Sequence, residues 1–206
     1  MRDKLLGFSV VCLSVAQGFA QSPQDLEHIF GKYDYVDPEG VVPERALKIA
    51  LDVYDRYQDS FPNKGFITVI DFTSHSGKRR FYVINMKDGS VEDLHTAHGE
   101  GSDKDDDGIA EKFSNVNDSK TSSLGVYRTA ETYDGKNGYS LKLDGLSDTN
   151  SNVRSRSIVV HGAKYVNSSK SKMGRSWGCP ALQSSLSTRI IKEIKEGSLM
   201  YAWAGE

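Results

Sequence analysis

From Phe66 to Trp203 the chain is a succession of short β-branched and aromatic runs, each ended by a cluster of turn residues. That punctuation restricts it to sheet architectures, because each run is too short for a buried helix and is bounded by chain reversals. Strands are predicted over 66–72, 80–85, 91–97, 124–129, 139–143, 158–160 and 199–203, with turns at 74–77, 87–90 and 134–138. Ile158-Val159-Val160 does not alternate, as expected for a strand buried on both faces. A long polar loop spans 98–123. Helical periodicity is confined to the flanks. Ala46, Leu47, Ile49, Ala50, Val53, Tyr54 and Tyr57 predict an amphipathic helix over 43–59, and 186–196 reads as another, with Gly197 just past its end. Ser22 as N-cap and Pro23 at the first helical position predict a short helix over 24–30. The fold class is therefore mainly β with flanking helices (α+β).

The first twenty residues differ from the rest. Met1-Arg2-Asp3-Lys4 is a short charged start, Leu5 to Val15 is apolar, and Gly18-Phe19-Ala20 places small residues at −3 and −1 of a cleavage site before Gln21. This reads as an export signal over 1–20, too short for stable membrane insertion. The expected location is the periplasm, with a helical segment over 21–62 and the main domain over 63–206. Removing the signal takes Cys12 with it and leaves Cys179 alone. In an oxidising compartment an unpaired thiol is expected to be buried or to have a task. A formal net charge of −2 gives no reason to expect nucleic acid or an anionic membrane as partner.

Cys179 sits in Gly174-Arg175-Ser176-Trp177-Gly178-Cys179-Pro180, one loop after Ile158-Val159-Val160-His161-Gly162. A thiol attacks carbonyls as thiolate and needs a base or a positive neighbour. Histidine suits this because its own pKa lies near neutrality. Gly178 lets the backbone bend and offers N–H groups to a developing oxyanion. Ser176 can hydrogen-bond the loop or the imidazole, and Arg175 can recognise a carboxylate. The alternative is a buried structural cysteine beside a core histidine.

The pattern His161-Gly162, a short loop, then Ser176-Trp177-Gly178-Cys179 resembles the active-site motif of the YkuD-type L,D-transpeptidases. More closely, 122–129, Leu143-Asp144-Gly145-Leu146, Val160-His161-Gly162-Ala163-Lys164-Tyr165-Val166 and 174–182 are similar to the murein L,D-transpeptidase catalytic domain subfamily. Trp177 stands where the broader family often has histidine, and Ala181 where it often has asparagine. The resemblance implies a YkuD-like β-sandwich or barrel with an N-terminal helical elaboration. It also implies ping-pong acyl transfer on peptidoglycan stem tetrapeptides, with release of D-Ala, 3–3 cross-linking or D-amino acid exchange, and no cofactor. Cys179 is then the nucleophile and His161 the base. Ser176 and Gly178 support them, the N–H groups of Gly178 and Cys179 hold the oxyanion, and carbapenems acylate the thiol. Arg175, Trp177, Gly162, Tyr165 and His98 are the expected substrate-binding residues. An L,D-carboxypeptidase of the same fold uses water as acceptor. A sortase-like enzyme places many more residues between His and Cys, and a wall-binding module uses neither.

Asp103-Lys104-Asp105-Asp106-Asp107-Gly108 matches the first half of an EF-hand loop, with Asp103, Asp105 and Asp107 as calcium ligands. Its twelfth position is Ser114 rather than glutamate, so a solvated acidic loop is the competing reading. His95 and His98 lack further nitrogen or sulfur ligands at zinc spacing.

Overall fold

The computed structural model describes residues 23–205, and the expected export signal, Cys12 and Ser22 lie outside them. Three helices, α1 (Pro23–Lys32), α2 (Glu44–Arg56) and α3 (Ser184–Ile194), accompany eight strands. The strands are β1 (Phe66–Asp71), β2 (Phe81–Asn85), β3 (Val91–Leu94), β4 (Gly125–Gly135), β5 (Gly138–Gly145), β6 (Val159–Ala163), β7 (Ala181–Gln183) and β8 (Leu199–Trp203). They form one sheet in the order β3-β2-β1-β8-β4-β5-β6-β7. The pairings β1–β8 and β6–β7 are parallel and the others antiparallel. Beyond β3, Thr96 makes an antiparallel bridge to Leu182 of β7, so the two edges meet and the sheet is nearly a barrel. No helix among the described residues is long and apolar enough to cross a membrane.

Side-chain alternation divides the core in two. Ile67 and Val69 of β1, Tyr82 and Ile84 of β2 and Leu199 of β8 pack with Leu47, Ala50, Leu51 and Tyr54 of α2. The intervening residues Ile70, Phe81, Val83, Met200 and Ala202 face the other way, onto Leu141, Val160, Leu182 and Ile190, Ile191 and Ile194 of α3. The central strands are therefore buried on both faces, which is why apolar residues fall on both faces of 66–72, interrupted only by Thr68 and Asp71. Each fully buried Ile or Leu contributes about 1.5–3 kcal/mol of hydrophobic stabilisation. Ile29 of α1 and the α2 residues share one apolar cluster with β1, β2 and β8.

The largest departures from the sequence expectation are in β4 and β7. β4 continues past the expected end at 129 to Gly135, across a register shift between Thr129 and Thr132. Its outer half is mostly exposed and polar, so no apolar pattern marks it. Ion pairs stiffen this hairpin instead: Lys142 Nζ lies 3.0 Å from a Glu131 oxygen, and Arg154 bridges Glu131 at 2.8 Å and Asp144 at 2.6 Å. β7 has only three residues, too few for a periodic signal, and α3 begins directly after it.

Candidate active site

β6 is the platform of the site. His161 lies at its midpoint, and in the parallel pairing it stands opposite Ala181 of β7, two residues beyond Cys179. His161 and Cys179 line one cleft of about 670 Å³ together with Gly162, Tyr165, Arg175, Ser176 and Trp177. His161 Nδ1 lies 2.9 Å from the Gly162 carbonyl oxygen. A carbonyl only accepts, so Nδ1 carries the proton and Nε2 is the basic nitrogen of the neutral ring. Burial lowers the imidazole pKa from its usual 6.5, partly opposed by that hydrogen bond.

Cys179 is the free cysteine of the described chain and is half-buried. Burial pushes its thiol up from 9.0, while a hydrogen bond from the Val159 backbone and the charge of Arg156 pull it down. Its Sγ–H points at the Ser157 carbonyl oxygen, 3.8 Å away. Burial thus disfavours the charged form of both groups, the imidazolium of His161 and the thiolate of Cys179.

Ser176 organises the Cys179 loop rather than the imidazole. Its hydroxyl donates to the Cys179 carbonyl at 2.8 Å and accepts the Gly178 N–H at 3.0 Å. Its backbone N–H donates to the His98 carbonyl at 2.8 Å. The Gly178 N–H, expected to face an oxyanion, is thus taken by Ser176. The Cys179 N–H has no acceptor among the described residues. Gly178 itself is required by shape. Its φ is +117°, and a Cβ there would lie 2.4 Å from the Thr121 carbonyl oxygen and 2.9 Å from Ile158 Cδ1. Gly178→Ala is expected to displace Cys179 and to slow any acylation of its thiol by a carbapenem, read by mass spectrometry, about 100-fold. A backbone strain of about 1–3 kcal/mol accompanies it.

Thr121 cannot yield because Arg156 fixes it. The Arg156 guanidinium donates to Thr121 O and Ser114 O at 2.7 Å, to Ser119 Oγ at 3.1 Å and to Ser123 Oγ at 2.5 Å. It gathers Ser114, Ser119, Thr121 and Ser123 of the 114–123 stretch behind Gly178 and lines the cleft. Sequence reasoning missed it, since an arginine ahead of a short strand carries no motif. Arg175 lines the cleft but is held by the acidic loop, with Nε 3.2 Å from Asp106 Oδ1 and Nη1 on the Asp103 carbonyl. Trp177 is 69% exposed at the rim, with Lys120 Nζ 4.7 Å from its ring centroid. Gly162 supplies the His161 acceptor and abuts α3, where a Cβ would meet Ser187 Oγ at 2.5 Å. Burial pushes the Tyr165 hydroxyl up to about 12, and the nearby Cys179 adds to this when ionised.

His98 is placed elsewhere. It is 1% exposed, as buried as its partners Arg80 and Asp103, so its ring does not bind substrate as the sequence suggested. Arg80 Nη2 donates to His98 Nδ1 at 2.8 Å, and His98 Nε2 donates to Asp103 Oδ2 at 2.9 Å. Arginine has only donors, so this histidine is neutral. Burial, followed by the Arg80 charge, pushes its pKa down to about 4. Between pH 6.5 and about 4 the unfolded chain takes up a proton that folded His98 refuses. Stability is therefore full above pH 6.5 and falls by on the order of 2–3 kcal/mol as pH drops through that window. Glutamine offers the same acceptor and donor, so His98→Gln is expected to flatten this fall when urea midpoints are compared at pH 7 and 4.5.

The Asp103, Asp105 and Asp107 carboxylates come within 4.8 Å of one another, with Asp103 buried and the other two exposed. Asp103 is already engaged by His98 and by the N–H groups of Asp107 and Gly108, at 3.1 and 3.0 Å. Lys172 and Arg175 pair with the adjacent Asp106. His95 Nε2 lies 3.1 Å from the Gly77 carbonyl oxygen.

The profile of the L,D-transpeptidase catalytic domain matches residues 39–203. Among solved structures, an L,D-transpeptidase from Mycobacterium smegmatis aligns at 14% identity, over 68% of this chain and 59% of that one, with a TM-score of 0.44. The L,D-transpeptidase from Xylanimonas cellulosilytica aligns at 16% identity over 85% and 77%, with a TM-score of 0.41. A third, solved with imipenem, aligns at 13% identity over 68% and 59%, with a TM-score of 0.42. This chain thus spans less than two thirds of the length of the first of these proteins. No curated protein matches it. Over 39–203, which includes both halves of the His–Cys cleft, the chain belongs to the L,D-transpeptidase catalytic-domain family.

Proposed function

We propose that the protein is a peptidoglycan L,D-transpeptidase working through a Cys179 acyl-enzyme. The observation that supports this most directly is the His161 tautomer: Nδ1 is tied to the Gly162 carbonyl, leaving Nε2 as the base of a ring that lines the cleft containing Cys179. In the first half-reaction Nε2 takes the thiol proton, and Sγ forms a bond to the carbonyl carbon between the third and fourth residues of a stem tetrapeptide. The tetrahedral oxyanion is met by the Cys179 N–H, and preorganised donors of this kind are a large catalytic term. The C–N bond then breaks, D-Ala leaves with the proton from His161, and a thioester remains. In the second half-reaction a side-chain amine of another stem attacks the thioester and gives its proton to Nε2. The C–S bond breaks and a 3–3 cross-link results. Each step moves only a proton or an acyl group between these partners, so none calls for a cofactor.

A carbapenem presents a strained carbonyl to the same thiol and is the simplest probe. The expected result is a stoichiometric mass increase on folded wild type, mapped to the peptide containing Cys179. Absence of the adduct, together with no D-Ala release from isolated sacculi, would sink the acyl-transfer reading. The 1–20 segment, read as an export signal, puts this chemistry in the periplasm, where the wall lies.

A further inference from the structure

The chain as a whole is nearly balanced, with 26 Lys and Arg against 28 Asp and Glu. The cleft is not. Lys136, Arg156, Lys164 and Arg175 line it, and no Asp or Glu does. They come from separate places: Lys136 from the tip of the β4–β5 hairpin, Arg156 and Lys164 from the two flanks of β6, and Arg175 from the nucleophile loop. Arg175 is partly neutralised by Asp106. The other three form no ion pair among the described residues. Arg156 touches only neutral oxygens, those of Ser114, Ser119, Thr121 and Ser123.

Unpaired cations gathered in a concave, partly desolvated wall raise the local potential and favour anionic ligands. The acceptors around Arg156 leave its charge in place while occupying its terminal N–H groups. It therefore acts on the cleft through its field. Lys136 and Lys164 are exposed and free to make direct contact. We infer that the cleft selects a donor stem whose carboxyl groups are free rather than amidated, with Lys136 and Lys164 as the residues that set this specificity. The inference rests on the acyl-transfer reading for the identity of the peptide. The charge distribution that carries it does not depend on catalysis.

The test separates the two. With full-length Cys179→Ala protein, which cannot turn over, calorimetric titration compares two synthetic stem tetrapeptides. In one the glutamate and diaminopimelate carboxyls are free, and in the other both are carboxamides. The free peptide is expected to bind about fivefold more tightly or better, since each exposed charge contact is a modest one. That preference should shrink in 0.5 M salt, because the screening length falls from about 10 Å at 0.1 M to about 3 Å at 1 M. Lys136→Gln with Lys164→Gln, both at exposed positions, should reduce it below about twofold while binding of the amidated peptide is unchanged. Equal affinity for the two peptides, a preference for the amidated one, or no binding of either at millimolar concentration overturns the inference. D-Ala release by wild type from either peptide judges the acyl-transfer reading separately.

Discussion

Cys179→Ala is expected to fold like the wild type and to release no D-Ala from tetrapeptide stems, a fall of at least about 10⁴-fold in kcat/KM. The thiol is half-buried, and its proton has only a long contact, 3.8 Å to the Ser157 carbonyl. The bonds that shape the loop run through backbone atoms: Ser176 Oγ to the Cys179 carbonyl and the Gly178 N–H to Ser176 Oγ. All of these survive truncation to alanine, so the unfolding midpoint should shift by no more than a few degrees. Loss of D-Ala release with retained stability assigns the chemistry to the sulfur. An alanine variant that still releases D-Ala would exclude it as the nucleophile.

His161→Gln should cost about 10²–10⁴-fold, the usual worth of a positioned general base. The pH dependence is the sharper test. Because burial lowers the imidazole pKa from 6.5, neutral base is present at and below neutrality, and kcat/KM should be lost only as pH falls through that depressed value. The acid limb of the wild-type profile should therefore lie below 6.5 and be absent from the glutamine variant. The thiol, raised above 9.0 by burial, should be alkylated slowly by iodoacetamide at pH 7 and progressively faster as pH rises. Fast alkylation at pH 7 would instead indicate a preformed thiolate–imidazolium pair.

The parts legible in the sequence were those with a local signature. The strands over 66–72 and 80–85 announced themselves because both faces are buried. Cys179 was conspicuous as a solitary thiol between glycine and proline, and His161 as the residue following a non-alternating strand. What stayed hidden depends on residues far apart in the chain. Arg156 matters because the 98–123 segment folds back over it, bringing Ser114 and Thr121 within hydrogen-bonding distance. His98 has a histidine's reputation as a site residue, yet its ring is enclosed by Arg80 and Asp103, and its carbonyl is what holds the Cys179 loop, through the Ser176 N–H. The cation-lined cleft was invisible for the same reason, since Lys136 and Lys164 belong to different strand connections.

The sheet order also bears on how the molecule is made. β8, the last strand in chain order, lies at the centre, between β1 and β4. Without β8, one flank of β1 and one flank of β4 have no partner strand. Unpaired apolar strand edges recruit other chains, and contacts between residues so distant in sequence form slowly. Assembly of the sheet is therefore expected to be a late, nearly all-or-none event that follows delivery of the C-terminal strand. A molecule stopped short of Leu199 would hold Cys179 and His161 in a sheet split down the middle.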